Sequence, residues 1–109
     1  MAYTYKVLAQ SAPSATTATD IYTVGSGKQA IVSTITVANR SATGRSYRIA
    51  IRPAGATLAN QHYVAYDVAI PANDTTALTL GVTLNATDVV TVYASTADLS
   101  FGIFGTEIS

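Results

Sequence analysis

His62 is the only histidine in the chain, so acid–base chemistry near neutral pH would have to begin there. A nucleophilic triad needs a serine beside the imidazole and a carboxylate behind it. Ser46 and Asp67 are of the right types, but no Gly-x-Ser-x-Gly elbow frames a serine. The plainer expectation is a half-exposed, structural His62 at the start of a strand. Glycoside hydrolysis needs two acids flanking a cleft. Glu107 is the one glutamate, near the end of the chain, and the aspartates sit among turn residues. Asp20, Asp74, Asp88 and Asp98 offer oxygens of the kind calcium takes, without the spacing of a calcium loop, and each reads more simply as a turn former. One histidine and no cysteine leave no zinc site and no disulfide. Gly25-Ser26-Gly27-Lys28 lacks the spacing of a phosphate loop and leads into a strand. These residues predict no enzyme and no cofactor, with a small hydrolase as the remote alternative.

Asn39-Arg40-Ser41, Asn73-Asp74-Thr75 and Asn85-Ala86-Thr87 match the N-glycosylation pattern, as chance allows in a chain rich in Ser and Thr. A glycan-binding surface is a stronger rival to a purely structural role. Seven tyrosines could supply sugar-stacking platforms, although there is no tryptophan.

The elements that would position these groups are strands. Apolar residues recur at every second position, which places them on one face of an extended chain. Leu78, Leu80, Val82 and Leu84 form the clearest such face, with Thr79, Gly81 and Thr83 between them. Tyr47, Ile49 and Ile51 point inward and Ser46, Arg48, Ala50 and Arg52 outward. Ile31, Ile35 and Val37 share a face, as do Val64, Tyr66, Val68 and Ile70. Gly, Pro, Asn and Asp clusters separate the runs. The expected strands are 3–9, 19–24, 29–38, 46–52, 61–70, 75–84, 88–94 and 98–104. About eight strands at regular spacing predict a single all-β domain over 1–109, an antiparallel β-sandwich of jelly-roll type. Residues 11–19 read as a loop or a swapping arm, and Pro53 to Asn60 as room for one helical turn. Tyr47 and Tyr66 belong to the core by this alternation, while Tyr63, Tyr93 and Phe104 point outward.

Charge is scarce. Asp, Glu, Lys and Arg make up 11% of the chain and their formal sum is zero at pH 7, against about 25% in ordinary soluble domains. A neutral surface favours association, so a homo-oligomer is expected, a trimer or a dimer. The sparse basic cluster of Arg40, Arg45, Arg48 and Arg52 argues against nucleic acid as a partner. No apolar run is long enough to span a bilayer, and residues 1–6 show no leader pattern, so a product made in the cytoplasm without membrane insertion is expected. Phe104, Tyr63 and Tyr93, with Arg48 and Arg52 as polar anchors, are the candidate protein-contact residues, because aromatics and arginine are enriched in interface cores.

With these residues laid out, the chain resembles a family of small β-sandwich virion proteins of tailed bacteriophages. The resemblance runs over almost the whole length. It is carried by Asp20-Ile21-Tyr22-Thr23-Val24, the stretch from Ala30 to Arg40, Arg52-Pro53-Ala54-Gly55-Ala56, Ile70-Pro71-Ala72-Asn73-Asp74, the stretch from Ala86 to Ser95, and Gly105-Thr106-Glu107. Where the family pattern has a proline after Val24, this chain has Gly25, which alters a turn. These are strand-and-turn signatures. The resemblance implies a virion component in many copies, on the tail and baseplate side or as a capsid decoration on the outer head, with other virion proteins as partners. It carries no active-site residue across.

Overall fold

The computed structural model describes residues 2–109; Met1, the first residue read for a leader, lies outside them. Nine strands form: β1 (Tyr3–Ser11), β2 (Thr19–Thr23), β3 (Gln29–Asn39), β4 (Arg45–Arg52), β5 (Tyr63–Ile70), β6 (Thr75–Leu78), β7 (Val82–Leu84), β8 (Val89–Ala94) and β9 (Leu99–Ile108). One sheet has the order β1-β9-β3-β6, with β7 also on β3, and the other the order β2-β8-β4-β5. With β6 and β7 taken as one interrupted strand, the chain changes sheet at every connection except β4–β5. That is the strand order of a jelly roll, so the expected all-β sandwich is the observed fold.

The two facing sides supply the core. Ala30, Val32, Ile35, Val37, Leu99, Phe101 and Ile103 meet Tyr47, Ile49, Ile70, Val90 and Val92. Tyr47 and Phe101 join the sheets edge to face, 6.3 Å between ring centroids, a geometry worth about 1 kcal/mol beyond area burial. The Tyr47 hydroxyl is buried beside the Thr76 side chain; burial raises its pKa, and Thr76 acts in the opposite direction.

Strict alternation fails in three places, and each failure has a local cause. In β3 the pairing with β9 slips between Val32 and Thr34. Ser33 is the extra residue, and its hydroxyl donates to the Phe104 carbonyl at 3.1 Å. The bulge turns the strand's phase, so Ala30 and Val32 face inward on one side of it and Ile35 and Val37 on the other. Ile31, expected in the core, is 42% exposed. Opposite this bulge the expected strand 75–84 breaks in two. β6 pairs with Ile35–Ala38 and β7 with Ala30–Val32, and between them Gly81 takes φ +63°, which ends the extended run and leaves Leu80 outside.

The third failure is β5, the edge of its sheet. Its ladder with β4 slips twice, between Tyr47 and Ile49 and again between Ile49 and Ala50. Asp67 sits at φ 49° within the first irregularity, a backbone region that Asp tolerates better than most residues. Val64 and Tyr66 are therefore exposed; Val68, in register with Tyr47, is partly exposed at the sheet edge, and only Ile70 of that expected face is buried. The assignment of Tyr66 to the core is corrected on this ground.

The connections are tightly held. Residues 53–55 and 60–62 form 3-10 turns in place of a single helical turn. The segment expected as an arm or loop is pinned to the opposite sheet, where Ala15 bridges Ala94 and the Thr16 amide donates to the Ala94 carbonyl at 2.8 Å. Asn39, at the end of β3, is 3% exposed. Its Nδ2 donates to the carbonyls of Thr43, Ile70 and Pro71 at 2.9, 3.2 and 3.1 Å, and its Oδ1 accepts from the Ser41 amide and hydroxyl. The first of the three glycosylation matches is thus an internal strut whose amide nitrogen is fully occupied.

Candidate protein-contact site

β4 and β8 pair so that Arg48 stands opposite Tyr93 on the outer side of their sheet. The β5 bulge brings Tyr66 and Asp67 to the same place. The Arg48 guanidinium lies 4.2 Å from the Tyr66 ring centroid and 4.3 Å from that of Tyr93, so the two rings clasp it. Its Nε and Nη2 donate to the two carboxylate oxygens of Asp67 at 2.6 and 3.3 Å. Tyr63 meets Tyr66 edge to face at 4.8 Å. Asn60, Tyr63 and Tyr66 line a shallow depression of about 480 Å³. Hydrogen bonding from Arg48 holds the Asp67 carboxyl below the usual carboxylate range. The result is a neutral, aromatic, pre-arranged surface in which the one cation is already matched.

The expected contact residues divide between two faces. Tyr63, Tyr93 and Arg48 come together, with Tyr66 as the member that strict alternation missed. Phe104 stands on the far side of the sandwich. Its ring covers Gly102, where a Cβ would come within 2.9 Å of it, and it sits between Val7 of β1 and Thr34 of β3. Tyr3, Tyr5, Val7 and Ile31 share this second face at 58, 82, 48 and 42% exposure.

Arg52 points outward as expected but is consumed internally. It donates to Thr91 Oγ1, to Asp20 Oδ2 and to the carbonyls of Gly55 and Ala56, at 2.7 to 3.2 Å. Thr91 in turn donates to Asp20 Oδ1 at 2.8 Å. Arg52 fastens β2, β8 and the turn after β4, and offers little to a visitor.

The groups considered for chemistry are scattered. His62 is buried at 9% exposure, not half exposed, because its Nδ1 accepts the Ala59 amide at 3.0 Å and closes the 3-10 turn. Asp67 is taken by Arg48. Ser46 pairs with Ala69, whereas Tyr63, next to His62, pairs with Ala50, so about 13 Å of β4 separates the two ends. Asp88 holds the amides of Ala54 and Asn85, Asp74 that of Thr75, and Asp98 binds Arg45 and Thr96. No three metal-ligating side chains gather among the described residues. No protein-family model matches the chain, and no curated protein or solved structure matches it.

Tyr22 and Glu107 tie the two sheets together at one end, the phenol donating to Oε2 at 2.7 Å while Lys6 donates to Oε1 at 3.2 Å. Tyr22 foremost, then Lys6, lowers the Glu107 pKa. Burial foremost, then the carboxylate, raises that of Tyr22. A lowered carboxyl contributes stability that is present above its unfolded value, about 4.3, and lost as pH falls through the folded one. A raised phenol contributes stability that is present below its unfolded value, about 10, and lost as pH rises toward the folded one. Denaturant titrations across pH should therefore show a plateau falling away at both ends. Glu107→Gln should make both limbs shallower, the acidic one only in part because Asp67 and Asp98 are lowered too. An unchanged alkaline limb would break the proposed link between the phenol and the carboxylate.

Proposed function

We propose that the chain is a structural subunit of a tailed-phage virion, self-associating and docking on other virion proteins, on the tail and baseplate side or as an outer-head decoration. The observation that carries this reading is the near absence of free charge. Of twelve formal charges, eight are taken up in four ion pairs among the described residues, Lys6–Glu107, Arg45–Asp98, Arg48–Asp67 and Arg52–Asp20. What remains outside is neutral, hydroxyl-rich, and interrupted by two aromatic faces on opposite sides of the sandwich. A surface of this kind suits a subunit covered by neighbours. The sequence resemblance supplies the virion setting, and jelly rolls are a recurrent capsid architecture.

The test is in two parts. Purified phage particles carrying this chain should contain it in many copies. Arg48→Ala and Phe104→Ala should weaken assembly at least about ten-fold by sedimentation, while Arg48→Ala keeps its native circular dichroism, since exposed ion pairs contribute little to stability. Unchanged assembled mass in both variants would remove these faces from the contact. The depression beside Asn60, Tyr63 and Tyr66 favours a second reading, a glycan-binding host-attachment module, since an amide beside a ring is suited to a sugar. A glycan array without a signal lost on Tyr63→Ala would eliminate it.

A further inference from the structure

β1 is the outer strand of its sheet, and every residue from Tyr3 to Val7 is exposed. Ala2 and Ser109 exchange both main-chain hydrogen bonds, at 2.8 and 2.9 Å. Antiparallel ladders alternate between bonded and non-bonded pairs. Thr4 and Lys6 therefore turn their amides and carbonyls toward β9, and Tyr5 and Val7 turn theirs toward the open edge.

Exposed edges are usually guarded by proline, a bulge or an outward charge. β5, the edge of the other sheet, has two ladder irregularities and Asp67. β1 has none of these between Tyr3 and Val7 except Lys6, whose ammonium is drawn to Glu107 at 3.2 Å. Its first irregularity comes later, between Val7 and Ala9.

We propose that a second copy of this chain pairs with the open edge of β1, antiparallel and about a twofold axis through Tyr5. This rests on the self-association in the proposed function and gives it a place and a register. A twofold axis normal to the sheet must pass through one residue and its own mate. An axis at Lys6 would set two lysines at a close pair about 4.5 Å apart, which is unfavourable. An axis at Val7 would run the pairing into the irregularity around Leu8. An axis at Tyr5 gives a reciprocal Tyr5 pair, places Val7 opposite the partner's Tyr3, and sets Lys6 against the partner's Thr4. The aromatic stripe of Tyr5, Val7 and Phe104 then continues across the axis on one side of a joined sheet. Such a contact buries on the order of 1,000 Å², the lower limit for a specific interface.

Sedimentation equilibrium over a concentration series tests it, with circular dichroism to confirm the fold. Wild type should dimerise, Tyr5→Lys should weaken the dimer at least about ten-fold, and Thr79→Ala, at an exposed position between β6 and β7, should leave it unchanged. The chain has no cysteine, so Tyr5→Cys should form one interchain disulfide under mild oxidation, its Cα atoms about 5.5 Å apart. Lys6→Cys should not, since its mates would lie about 8 Å apart. A dimer indifferent to Tyr5→Lys, or faster bridging at position 6 than at 5, overturns this edge and register while leaving self-association standing. A wild-type chain that stays monomeric overturns both.

Discussion

Asn39→Asp should destabilise the fold by about 4 kcal/mol at pH 7, lowering the melting temperature by about 16 °C or more. The substitution keeps the size and shape of the side chain and changes one group. That group is the Nδ2 that donates to three carbonyl oxygens within 3.2 Å, at a residue 3% exposed. A carboxylate there meets three acceptors with no proton to share and no water to solvate it, so burial of an unmatched charge adds to the loss of the bonds. The carbonyls belong to two separate connections, Thr43 between β3 and β4, and Pro71 with the adjacent Ile70 between β5 and β6. Both connections cross from one sheet to the other, so the damage spreads to the corner of the sandwich. The introduced carboxyl should have a raised pKa in the fold, and its penalty relative to wild type should shrink as pH falls toward 4. Denaturant titrations of both proteins at matched pH values measure this, with Asn39→Ala separating lost bonds from added charge. A penalty equal in both variants and flat with pH would show that the charge is solvated.

Gly105→Ala is expected to have a comparable effect, about 3 kcal/mol, for a purely steric reason. A Cβ at Gly105 would overlap the Ile31 carbonyl oxygen and come within 3.1 Å of Val32 Cα. These are main-chain atoms of the neighbouring strand, so no side-chain rotation relieves the overlap; β3 and β9 would have to part at the centre of their sheet. Gly44→Ala is the control, because a Cβ there meets only the Ile70 carbonyl at an ordinary 3.8 Å. Thermal melts should separate the two by about 12 °C or more. Equal melting temperatures would mean that the β3–β9 ladder yields at little cost.

The fold was legible because most strands follow a two-residue period between turn residues, as in Tyr47-Arg48-Ile49 and Val90-Thr91-Val92. The candidate site was legible only in part. Arg48 and Tyr93 lie on regular alternation and point where expected, and Tyr63 does so because the two irregularities of β5 offset each other; Tyr66, between them, does not, because a bulge adds a residue and reverses the phase. Periodicity assumes that no residue is added. Asp67 was the available signal: an aspartate inside a β-branched and aromatic run is poorly suited to a strand and tolerant of the backbone a bulge requires. Ser33 gave no such sign, and Ile31 was misplaced with it. The occupation of Arg52 was out of reach, since its partners Asp20 and Thr91 lie far off in sequence and nothing in their spacing points to one another.

The Arg52 network bears on how the molecule breathes. β2 has five residues and borders its sheet, so it would ordinarily peel away first, its amides exchanging with solvent long before those of the centre. Arg52 reaches past β8 to hold Asp20 of that strand, and Thr91 braces the same carboxylate. The opening of β2 is thereby coupled to the far end of β4, and amide exchange in the two segments should slow and quicken together.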